Sequence, residues 1–276
     1  MLNPTKRSTG RQPLSTRQMV QPPARAFYES TLRILTAAEI RFVVGGAFAL
    51  KHYAGIARDT KDLDVFLERP ELERAMSVLS DAGYDTEVTF PHWLAKAYCG
   101  EHFVDFIFSS ANGLCPVDSA WFKHAIKCTM WGVPVLLCPI EEVIWTKCFV
   151  MERERFDGAD IYHLIEAKGE TIDWRRLIER FGDKWRVLLG HLVFYSFVFP
   201  DRREVVPRWV LHELTGRMQR ERHAEREHVC RGTLVSREQY LVDLRERGYE
   251  DARVPPHGDV PAPEIDFWTE AIGKIK

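Results

Sequence analysis

The 276-residue chain is 45% hydrophobic and 28% charged, with a formal net charge of −2. These values exclude a wholly disordered polypeptide, a collagen-like repeat and a disulfide miniprotein. They also argue against a protein that coats nucleic acid by charge alone, although a local basic patch is compatible with them. The length suits one domain with a large appendage or two modest domains.

Residues 1–26 carry five Lys/Arg, four prolines and no acid. That composition predicts a disordered basic arm, and it lacks the apolar core of a secretory leader. Six scattered cysteines form no C-x-x-C pair and are read as reduced thiols of a cytoplasmic protein. A helix is expected over 26–39 from the spacing of Phe27, Leu32, Ile34, Leu35 and Ala38. A β-type run over 41–44 then ends at Gly45-Gly46, and residues 47–53 return to helix. Residues 62–67 alternate as a strand, 70–81 read as a helix opened by Pro70, and 103–108 read as a second alternating strand. Residues 126–138 resemble a hairpin turning at Gly132.

Beyond Pro139 the pattern is helical, over 141–151, 157–167, 173–181, 184–198 and 206–222. The most apolar stretch, 187–199, contains His191 and falls short of the ~20 residues that a membrane-spanning helix needs, so no membrane role is expected. Residues 224–276 hold one expected helix, 236–247, and the proline-rich 254–263, and read as a loosely packed appendage. The expected fold class is therefore α/β (α+β): a small mixed sheet flanked by helices over 27–138, followed by an all-helical domain over 139–223.

Asp62 and Asp64 carry the most chemical information. Two residues apart in a strand, they point to one face with Cα atoms roughly 7 Å apart, while Leu63, Val65 and Leu67 take the other. Side by side the two carboxylates repel, and a divalent cation relieves that repulsion. Three neighbours strengthen this reading over that of a solvated strand edge. Gly45-Gly46 lies between a strand and a helix, where backbone can approach a phosphate. Asp105 sits in the otherwise apolar run Phe103-Val-Asp-Phe-Ile-Phe108, where an acid is costly without a partner or metal. Arg58-x-Thr60-x-Asp62 adds a cation and a hydroxyl just before the pair.

Gly45-Gly46-Ala-Phe-Ala-Leu50, Arg58-Asp-Thr-Lys-Asp-Leu-Asp-Val65 and Val104-Asp105-Phe106 together resemble the motifs of the polymerase-β-type nucleotidyltransferase superfamily, most closely its AbiEii-like branch, which includes bacterial toxins. The resemblance spans about residues 30–165. It implies a catalytic core in which Asp62, Asp64 and Asp105 hold two Mg²⁺ or Mn²⁺ ions. The ions align an acceptor hydroxyl with the α-phosphorus of an NTP such as ATP and stabilise departing pyrophosphate. Asp105 bridges metal and nucleophile and takes the proton, and Gly45, Gly46, Arg58 and Thr60 lie on the nucleotide side.

The run from Lys147 through Arg153 and Arg155 to Asp157-x-x-Asp160 matches in order a helix of that branch. By resemblance Lys147 holds the triphosphate, and Asp157 or Asp160 orients a cation or touches the nucleotide; capping of a helix N-terminus is the alternative for these two acids. Ala47 departs from the Ser or Thr that many relatives place on phosphate. The branch also implies a cognate antitoxin as partner.

Other signals carry less. His223, His228 and Cys230 lack a second ligand pair for zinc and sit in a charged helix end. No G-x4-G-K-[ST] or G-x-S-x-G motif occurs, and Trp93 and Tyr98 fit core packing better than stacking on a base. Two functions follow: transfer of NMP to a hydroxyl of RNA, protein or a small molecule, or an inactive nucleotide- or partner-binding module on the same fold.

Overall fold

In the computed structural model, which describes residues 19–221 and 228–271, the chain enters through Met19 and Val20, both buried. Helix α1 (Pro22–Ala37) follows, started by prolines whose missing N–H groups a helix N-terminus does not need. The first half then runs β1 (Val43–Val44), α2 (Gly46–Ala54), β2 (Asp64–Phe66), α3 (Leu72–Asp81), β3 (Asp85–Phe90), β4 (Leu94–Cys99), β5 (His102–Ile107), α4 (Ser119–Lys123), β6 (Ile126–Met130) and β7 (Val133–Leu137). These strands form one seven-stranded mixed sheet in the order β3-β4-β5-β2-β1-β7-β6. β2 runs parallel to β5 and antiparallel to β1, and β1 runs parallel to β7.

Strand alternation sorts the sheet into two apolar layers. Leu63, Val65, Leu67, Val104 and Phe106 pack with Leu32 and Leu35 of α1 and Leu72 and Leu79 of α3. Val43, next to Val44 and therefore on the other face, packs with α2 and the helical half. That half comprises α5 (Ile140–Cys148), α6 (Gly158–Lys168), α7 (Trp174–Phe181), α8 (Trp185–Val198) and α9 (Arg208–Arg220). One apolar cluster runs from Val43 and Leu50 through Trp145 and Ile161 to Leu214, so the helices pack directly on the sheet. The architecture is the mixed α/β sheet with a helical region that the sequence pattern predicts.

Three expectations change. The basic arm lies outside the described residues over 1–18, but its last part is packed, because Met19 accepts a hydrogen bond from Thr60 N at 3.0 Å and α1 starts at Pro22. The hairpin β3–β4 has no counterpart in the pattern. Its inward residues Ala95 and Ala97 are small, and its other face is polar, so the alternation is weak.

The appendage, finally, is anchored to the rest of the chain over 228–271, where Leu234, Ala252, Val260, Ile265 and Trp268 are buried. It contains β8 (Val229–Cys230), α10 (Leu241–Glu246), β9 (Glu250–Asp251) and α11 (Ala262–Glu270). Val260, Ile265 and Trp268 close over Phe90 and Leu94 of the hairpin. Ser236 Oγ donates to Glu152 at 2.6 Å, anchoring the segment to the helical half. The six cysteines are unpaired. Among the described residues no helix is long and apolar enough to cross a membrane.

A buried ion network fastens α7 to α5 and α4. Glu142, whose side chain is fully buried, receives Arg176 at 2.5 Å and Arg180 at 3.0 Å, and Arg180 also donates twice to Asp118 at 2.7 and 2.9 Å. Removing one partner from such a network strands the other charges. Glu142→Ala is therefore expected to destabilise the protein by about 3–5 kcal/mol in urea denaturation, and a loss under about 1 kcal/mol contradicts the network's role.

Candidate active site

Asp64 and Asp105 are direct register partners on the parallel strands β2 and β5, and Asp62 lies two residues upstream of Asp64 on the same face. Leu63, Val65, Val104 and Phe106 are fully buried on the opposite face, which fixes the direction of the acids. One oxygen from each carboxylate lies within 4.8 Å of the others. Thr60 Oγ1 donates to Asp62 Oδ1 at 2.7 Å and to its carbonyl at 3.1 Å, so Thr60 orients the first acid.

The glycine pair is built around the second acid. Gly45 N donates to the Asp64 carbonyl at 3.0 Å. Gly46 has φ +53°, and a Cβ there would meet Asp64 Oδ2 at 1.7 Å, so only glycine fits. No side chain caps α2, and its first N–H groups open beside this carboxylate. Burial first, and then the charges of Asp62 and Asp105, push the Asp64 carboxyl up to about 7, against the pull of Lys147 and Arg155. Asp105 is raised by burial and by Asp62, with Lys96 acting in the opposite direction. Three crowded carboxylates with an all-oxygen donor set fit a hard divalent ion such as Mg²⁺ or Mn²⁺.

A second cluster of charges surrounds the first. Lys147 Nζ of α5 lies 2.7 Å from Asp157 and 2.9 Å from Asp160. Arg58, on the loop before Asp62, pairs closely with Asp160, and Arg155 donates to Asp157 at 3.0 and 3.1 Å. Asp157 occupies the N-cap position of α6 without capping it through its side chain. Its carboxyl is held below the ordinary value because Arg155 and Lys147 outweigh the effect of burial. The positive charges of Lys147 and Arg155 also pull the Asp64 carboxyl down, so the two clusters are electrostatically linked. The structure thus gathers Gly45, Gly46, Arg58, Thr60, Asp62, Asp64, Asp105, Lys147, Asp157 and Asp160 on the helical side of the sheet. Sequence reasoning missed Lys96, whose Nζ lies 2.5 Å from Asp105 Oδ1; without the hairpin its register opposite Asp105 could not be read.

No protein-family model matches the chain, and no curated protein matches it by sequence. Several solved structures are similar in part. The antibiotic-resistance factor ANT(2'')-Ia, solved in complex with adenylyl-2''-tobramycin, is 14% identical over 64% of this chain and 99% of its own, with a TM-score of 0.41. A nucleotidyltransferase-like protein from Paracoccidioides brasiliensis is 14% identical over 68% of this chain and 96% of its own, at 0.43. The lincosamide antibiotic adenylyltransferase LnuA is 15% identical over 52% and 96%, at 0.38. Each superposition is partial at these values.

The raised carboxyl of Asp64 has a pH consequence. The folded protein holds this proton up to about pH 7, whereas the unfolded chain releases it near an ordinary aspartate value of about 3.9. The stability it confers is therefore present at low pH and lost as pH rises through that window. The stability of wild type relative to Asp64→Asn is expected to fall from pH 4 to pH 7 in thermal unfolding. Mn²⁺ is expected to restore it, more at pH 8 than at pH 5. An equal response of the Asn variant to Mn²⁺ contradicts the site.

Proposed function

We propose that the protein is a metal-dependent nucleotidyltransferase of the polymerase-β type, which moves NMP from an NTP to an acceptor hydroxyl and releases pyrophosphate. The observation that carries this is the convergence of three strand carboxylates within 4.8 Å of one another, beside a helix N-terminus whose glycine lies flush against one of them. Asp62 and Asp64 would hold the divalent ion, with Asp105 alongside them in the same cluster. A bound ion of this kind supplies charge stabilisation at the α-phosphate and lowers the pKa of a coordinated hydroxyl.

The chain's own groups divide the remaining work. The open N–H groups of α2 and the ammonium of Lys147 face the negative charge that builds on departing pyrophosphate. Arg58, with its side chain half exposed, completes that cationic side. Asp105 Oδ1 is occupied by Lys96, which leaves Oδ2 to accept the acceptor's proton as its oxygen bonds to the α-phosphorus. Thr60 keeps Asp62 in place, and Asp157 and Asp160 hold Lys147 and Arg58 between turnovers. The wording of Arg58-x-Thr60-x-Asp62-Leu-Asp64 supports the AbiEii-like branch, and a cognate antitoxin rests on that wording too.

One observation favours the second reading, an inert nucleotide-holding module. Lys147 is bonded to two acids and Arg58 to one of the same pair, so these cations are already satisfied. Turnover separates the two readings. Wild type, Asp64→Asn and Lys147→Ala are incubated with each α-³²P-NTP, Mg²⁺ or Mn²⁺, and RNA, lysate protein or an aminoglycoside as acceptor. Label is expected in one acceptor class with wild type. It should drop at least about 100-fold in Asp64→Asn, as for loss of a major electrostatic contributor, and Lys147→Ala should chiefly raise the KM for NTP. NTP binding without transfer in every arm contradicts the enzyme and supports the module.

A further inference from the structure

Lys96 stands outside the set that motif spacing identifies, yet it touches the acid centre. β4, β5 and β2 are adjacent in the sheet, and Lys96, Asp105 and Asp64 are register partners across them. Asp105 therefore has Asp64 on one side and the lysine on the other. Ala95 and Ala97, fully buried on the reverse face, leave Lys96 no choice of side. Its ammonium lies 2.5 Å from Asp105 Oδ1 and 4.2 Å from the centre of the Phe103 ring, a second attraction that holds it there. The side chain is 19% exposed, so water competes only weakly for this charge.

Resting on the metal-dependent reading above, we propose that Lys96 is a built-in cation filling the outer coordination place of Asp105. Before nucleotide arrives the acid centre then takes one divalent ion, on the Asp62–Asp64 side, in place of two. The charges support this: the five carboxylates of Asp62, Asp64, Asp105, Asp157 and Asp160 meet the four cations Lys96, Lys147, Arg58 and Arg155, so one divalent ion already exceeds the charge left over, and a second would have to displace the lysine from both Asp105 and Phe103. Lys96 is thus a positioning residue. It fixes Asp105 and directs the free Oδ2 of that residue toward the acceptor.

The test is Mn²⁺ binding to the full-length protein without nucleotide, followed by electron paramagnetic resonance, for wild type, Lys96→Met, Lys96→Arg and Asp64→Asn. Methionine keeps the stem and removes the charge, while arginine keeps the charge. Wild type and Lys96→Arg are expected to bind one ion per chain, Lys96→Met two, and Asp64→Asn none with comparable affinity. Circular dichroism melts identify a variant that does not fold. Two ions on wild type overturn the proposal, with no need of the methionine variant. One ion on both wild type and folded Lys96→Met also overturns it, and both results leave the metal-dependent reading standing. No ion on any form overturns this proposal, and the turnover assay with NTP then decides the metal-dependent reading.

Discussion

Three carboxylates within 4.8 Å of one another repel, and much of the surrounding structure either creates that crowding or offsets it. The crowding comes from the sheet. The parallel register of β2 and β5 sets Asp64 beside Asp105, and strand alternation brings Asp62 to the same face. The offset comes from Lys96 on one flank and from Lys147 and Arg155 on the other. Burial first, and then the repulsion left over, raise the Asp64 carboxyl to about 7, so a divalent ion competes there with a proton and gains most above that pH.

The ion pairs around the three acids link the site to the architecture. Asp157 and Asp160 open α6, Lys147 closes α5, and Arg58 precedes β2. Their ion pairs tie the loop that delivers Asp62 to two helices of the other half. The same helices pack on the sheet through the apolar cluster that includes Val43, Leu50 and Ile161. Packing and electrostatics thus meet at one boundary, where the sheet ends and the helices begin, and the candidate site lies along it. The segment 228–271 is bonded to the loop between α5 and α6 through Val235 and Ser236 and closes over the β3–β4 hairpin through Trp268.

Much of this was legible in the sequence for identifiable reasons. Leu63 and Val65 alternate with Asp62 and Asp64, so the direction of the two acids could be read directly. Asp105 stood out because Val104 and Phe106 flank it, and the helical half showed a 3.6-residue period. The hairpin was hidden because Ala95 and Ala97 give little hydrophobic contrast, and with it went the register that brings Lys96 to Asp105. The C-terminal segment looked loose because its core contacts, Val260, Ile265 and Trp268, are spread among prolines and charges and acquire a partner only through the tertiary fold. Thr60 read as a nucleotide contact, whereas its hydroxyl is directed at Asp62, a distinction between binding and orienting that spacing alone does not make.

The most direct test of the central claim is anomalous diffraction from crystals of the wild-type protein soaked in Mn²⁺. The account requires an anomalous peak at coordination distance, roughly 2.0–2.2 Å, from carboxylate oxygens of Asp62 and Asp64. A peak elsewhere with this cluster empty, or Asp64 turned away from Gly46 and Asp105, contradicts it.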